Sequence, residues 1–70
     1  MNEPFNLIVG DQEYKARFER YGYTHRFAVL VGEETVVFEP DEEGGYSAFA
    51  THTPPDLLQA LAEKLIVLSR

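Results

Sequence analysis

Apolar and polar positions alternate along most of this chain, and the period changes near its end. Residues 5–9 ("FNLIV") form a short apolar run closed by Gly10-Asp11, a turn signal. Residues 13–21 ("EYKARFERY") alternate strictly. Tyr14, Ala16 and Phe18 fall to one side, and Lys15, Arg17 and Glu19 to the other, the mark of a half-buried strand. The same rule predicts strands at 26–31 ("RFAVLV"), 36–39 ("VVFE") and 46–50 ("YSAFA"). "YGYTH" reads as the loop between the second and third strands, with His25 in it. From residue 54 the spacing turns helical. Leu57, Leu58, Leu61, Leu65 and Leu68 form one stripe, with Gln59 and Glu63 opposite, which predicts a helix over 54–68. Thr53 is the expected N-cap, Pro54 the first helical residue, and Asp56 an acid suited to the positive helix end.

Short turns favour antiparallel neighbours, and a lone helix of this length needs a surface to pack on. The expected fold is therefore α+β: an antiparallel meander of four or five strands in one domain, with the C-terminal helix across one face. The alternation assigns Phe5, Leu7, Val9, Tyr14, Ala16, Phe18, Phe27, Val29, Val31, Val36, Phe38, Tyr46 and Ala48 to the helix side. The other face then carries Ile8, Ala28, Leu30, Val37 and Phe49 beside Lys15, Arg17, Glu19 and Glu39. A sheet face turned to water should be polar, and an apolar patch on it marks an interface. These five apolar residues are the expected contact surface for a second copy, as a homodimer, or for another protein.

Composition narrows the classes. The 70 residues carry a net charge of −6, from 12 acids against 6 bases. That opposes phosphate-driven nucleic-acid binding and attraction to an anionic membrane. Without cysteine, disulfides and thiolate metal sites are excluded. The opening "MNEPFNLIVGDQE" lacks the basic start and long apolar run of a signal peptide, so a cytoplasmic location is the expectation. Charge is uneven: Lys15, Arg17, Arg20 and Arg26 cluster early, and Glu33, Glu34, Glu39, Asp41, Glu42 and Glu43 cluster later. Such surfaces keep a small domain soluble and can set the register of a partner.

The stretch "EPDEEGGYSA", Glu39 to Ala48, is the one segment that invites a metal reading. Counted from Asp41, an EF-hand loop would place glycine sixth and glutamate twelfth, where this chain has Tyr46 and His52. The segment is expected to be a turn instead, with Pro40 ending a strand and Gly44 and Gly45 supplying positive φ. His25 and His52 lack any spacing that places two ligands on one helix face. There is no G-x-S-x-G elbow around Ser47 and no glycine-rich phosphate loop before a helix. Catalytic, cofactor and metal residues are accordingly not expected, and the chain is not expected to be an enzyme.

Two resemblances attach to these residues. "DEEGGYSA", Asp41 to Ala48, resembles the acidic-Gly-Gly-Tyr hairpin of the HicB antitoxin family, and "THTPPDLLQALAEKL" is loosely similar to the proline-led helix of that family. The resemblance implies a regulator that binds a small basic toxin or RNase. HicB proteins place this hairpin at their start, whereas strands precede it here. Over most of its length the chain resembles a group of short bacterial proteins, chiefly from the Bacteroidetes. They share a hairpin like "GDQEY" (Gly10 to Tyr14), a strand ending like "FEPD" (Phe38 to Asp41) and a helix with "LAEKL" (Leu61 to Leu65). That resemblance implies the meander-plus-helix fold and no particular activity. Together these readings point to a non-catalytic interaction module that self-associates through a sheet face or a strand edge, with the antitoxin-like regulator as the alternative.

Overall fold

In a computed structural model describing residues 4–48 and 51–68, the chain forms five strands and one helix. The strands are β1 (Phe5–Val9), β2 (Gln12–Tyr21), β3 (Thr24–Val31), β4 (Glu34–Pro40) and β5 (Tyr46–Ala48), and the helix is α1 (Pro55–Leu68). The sheet order is β1-β2-β3-β4-β5, every pair antiparallel. The α+β meander read from the alternation is the fold observed.

Three of the four reversals are two-residue loops: Gly10-Asp11, Gly22-Tyr23 and Gly32-Glu33. Each begins with a glycine at positive φ (63°, 58° and 62°), the conformation a tight hairpin requires at its first position. This tightness moves two boundaries. The "YGYTH" loop shrinks to Gly22-Tyr23, so His25 lies within β3, paired with Arg20, rather than in a loop. β4 likewise begins at Glu34, opposite Val31, and not at residue 36.

Every position that the alternation assigned to the helix side belongs to the core or packs against it. Leu7, Ala16, Phe27, Val29, Val36 and Phe38 are buried from the sheet, and Leu61 and Leu65 from the helix. Each fully buried aliphatic or aromatic side chain contributes roughly 1.5–3 kcal/mol of transfer free energy. The helix touches both edge strands, β5 and β1, and so spans the sheet from one edge to the other.

The helix start differs from expectation by one residue. The Leu58 N–H donates to the Pro54 carbonyl at 3.0 Å, so Pro54 occupies the cap and Pro55 the first helical position, where a missing N–H is tolerated. Thr53 does not lead the helix, because its hydroxyl is engaged by Glu34. Leu68, read as part of the apolar stripe, is 55% exposed at the last turn of the helix. Phe49 and the expected end of the fifth strand, residues 49–50, lie outside the described residues.

Candidate functional site

Among the described residues, no second layer covers the face opposite the helix. Strand pairing puts Ile8 beside Glu13, Ala28 between Arg17 and Val37, and Leu30 beside Thr35. The four described members of the expected interface therefore share this face. Their exposures differ. Ile8 is 56% and Leu30 45% exposed, whereas Ala28 is only 9% exposed. Ala28 has a short side chain flanked by longer ones, so it forms the floor of a depression. That depression measures about 210 Å³ and is lined by Lys15, Arg17, Leu30 and Thr35. Val37 is half-buried.

The charges on this face are organised. Glu19 accepts from Arg17 Nη2 and from Arg26 Nε, both at 2.9 Å, so one carboxylate bridges two guanidinium groups from adjacent strands. Alternation also places Lys15, Glu13 and Glu39 here. Lys15, Arg17 and Arg26 balance Glu13, Glu19 and Glu39, so the face is formally neutral on a chain of net charge −6.

Two carboxylates at the other end of their reach act on the backbone. Glu34, at the start of β4, accepts from the Thr51 hydroxyl at 2.6 Å, the Thr53 hydroxyl at 3.2 Å and the His52 N–H at 3.2 Å. It ties the segment entering α1 to the sheet. The Thr51 hydroxyl above all, with the His52 N–H and Thr53 hydroxyl, holds the Glu34 carboxyl below the ordinary carboxylate range against the opposing effect of burial. Asp41 does the same within the β4–β5 turn. Its Oδ1 accepts from the Gly45 N–H at 2.8 Å and the Glu43 N–H at 2.9 Å, and its Oδ2 from the Ser47 hydroxyl at 3.1 Å. The Gly45 N–H, followed by Glu43 and Ser47, lowers its pKa. The acidic run is thus a turn built around one aspartate. Of the two glycines in this turn, Gly44 has positive φ (84°) and Gly45 does not. The expectation of positive φ at Gly45 is corrected: a Cβ there would lie 3.4 Å from Asp41 Oδ2, beside the carboxylate that its N–H satisfies.

A third feature joins side chains from different strands. His25 Nε2 and the Tyr46 hydroxyl are 2.8 Å apart. Phe18, Phe27 and Tyr46 surround the imidazole at centroid distances of 5.4, 6.0 and 5.9 Å. His25 pairs with Arg20 and Tyr46 with Pro40. Extending the β3–β4 register by two residues beyond Phe27–Phe38 brings His25 level with Pro40. The histidine and tyrosine thus meet across a proline, which has no N–H for the ladder. The signal was the alternation itself, continued two residues below Phe27. His52, by contrast, sits in the Glu34 segment. Among the described residues no three histidine or acidic side chains converge as a metal site, and no helix is long and apolar enough to cross a membrane.

Set against known protein families, curated proteins and solved structures, the chain matches none of them. The resemblances to the HicB hairpin and to the Bacteroidetes group therefore rest on the quoted residues alone.

Proposed function

We infer that this protein is a non-catalytic interaction module that associates with a second copy of itself through the open sheet face. The observation that carries this reading is a charge-balanced face bearing exposed apolar residues on an otherwise acidic chain. Two copies with net charge −6 repel each other in general. They repel least where the face is neutral and where the Arg17–Glu19–Arg26 arrangement of one copy can meet that of the other about a two-fold axis. The depression over Ala28 offers room for an apolar side chain such as Ile8 or Leu30 from the facing copy. Phe49, also expected at this interface, lies outside the described residues.

A small basic partner, as the antitoxin reading requires, would be drawn instead to the acid-rich turns that hold Glu33, Glu42 and Glu43. The neutral face gives it no electrostatic preference, so self-association is the better supported reading. Sedimentation over a range of concentrations tests it. The expected result is a dimer that dissociates on dilution, and a Leu30→Glu variant that stays monomeric at every concentration. A wild-type chain that is monomeric throughout overturns the reading.

A further inference from the structure

On the helix side of the sheet, past the end of α1, lies a groove of about 570 Å³. That is within the roughly 300–1,000 Å³ of small-molecule sites. Its floor is the cluster of Phe18, His25, Phe27 and Tyr46, whose rings meet mostly edge to face. Arg20 from β2 and the wholly exposed Tyr23 stand at its side. We propose that this groove binds a small aryl carboxylate, with the ring on the aromatic floor and the carboxylate on the Arg20 guanidinium.

Three observations point to that ligand class. The floor presents ring faces and edges, which favour a planar apolar group in offset or T-shaped contact. No acid lines the groove among the described residues, although the chain has 12. Arg20 has no carboxylate partner among the described residues, whereas Arg17 and Arg26 both hold Glu19. A guanidinium beside an apolar floor is the arrangement that takes a carboxylate in a two-pronged, charge-assisted contact. The His25–Tyr46 hydrogen bond holds two of the floor rings in place, so that part of the surface exists before a ligand arrives. The groove is on the opposite side of the sheet from the open face, so this proposal and the self-association reading stand or fall separately.

The test titrates 2-naphthoate, and its neutral analogue 2-naphthamide, into the full chain while amide resonances are followed by NMR. Saturable shifts centred on Thr24, His25 and Tyr46 are expected for the acid, with the amide binding about tenfold more weakly. Arg20→Gln should weaken the acid by about tenfold and leave the amide unchanged, while Lys64→Gln, the same charge change at an exposed helix position outside the groove lining, should leave both unchanged. Dispersed spectra establish that each variant is folded. Shifts that never saturate, shifts centred on Ala28 and Leu30, equal affinity for acid and amide, or an Arg20→Gln variant that binds the acid as the wild type does, would each overturn the proposal.

Discussion

The two faces of this sheet are made by the same strands, one residue out of step. Phe27 and Val29 lie on the helix side and belong to the core, while Ala28 and Leu30, their immediate neighbours, face outward. On the covered face, every assigned apolar side chain is in the core or packs against it. On the open face it does not. Leu30 and Ile8 stay about half exposed, so a folded monomer draws little stability from them. The difference separates residues that the fold needs from residues that the fold leaves available.

Substitutions on either side sharpen that separation. The largest effect is expected from Phe38→Ala, which empties a site only 1% exposed beneath the helix. A loss of about 3–5 kcal/mol in urea denaturation is expected, a large share of the stability of so small a domain. A loss below about 1 kcal/mol would mean that the helix does not seal this face. Next comes Gly32→Ala. Its Cβ would meet nothing within 4 Å, so the cost is conformational: positive φ disfavours alanine by about 1–2 kcal/mol.

A smaller effect separates the turns from the faces. Glu34 and Asp41 have folded pKa values below their ordinary 4.5 and 3.8. A lowered carboxylate pKa adds stability that is complete above the unfolded value and is lost as pH falls through the folded one. Melting temperature should therefore hold level from neutrality to about pH 5 and decline below it. Glu34→Gln should flatten part of that decline, and an identical acid profile for the variant would refute the anchoring role. The smallest effect on stability is expected from Leu30→Glu, within about 0.5 kcal/mol, because the site is exposed. The same variant should nevertheless abolish association, and this pairing of effects is the sharpest distinction between the two faces.

Much of this is legible in the sequence. Alternation assigned every core position of the sheet correctly, because a side-chain period of two leaves one free choice of register, and the tyrosine, alanine and phenylalanine of β2 make it. The boundaries were less legible. His25 was expected in a loop because Gly22 and Thr24 flank Tyr23 like a longer connection, yet a single positive-φ glycine shortens the turn to two residues. Thr53 had the chemistry of a cap, but Glu34, distant in sequence, competes for its hydroxyl. The same limit hid the aromatic groove, whose histidine and tyrosine come from different strands.

The sequence by itself determined the sidedness of each strand, the turn glycines and the helix, because each follows from a local period or a local dihedral preference. The tertiary structure decided which side chains serve one another across the fold. Glu34 reaches the segment before α1, His25 reaches Tyr46, and Arg20 is left beside an aromatic floor while Arg17 and Arg26 share Glu19. Those pairings depend on strand order and on where the helix ends, quantities that no local window of sequence contains.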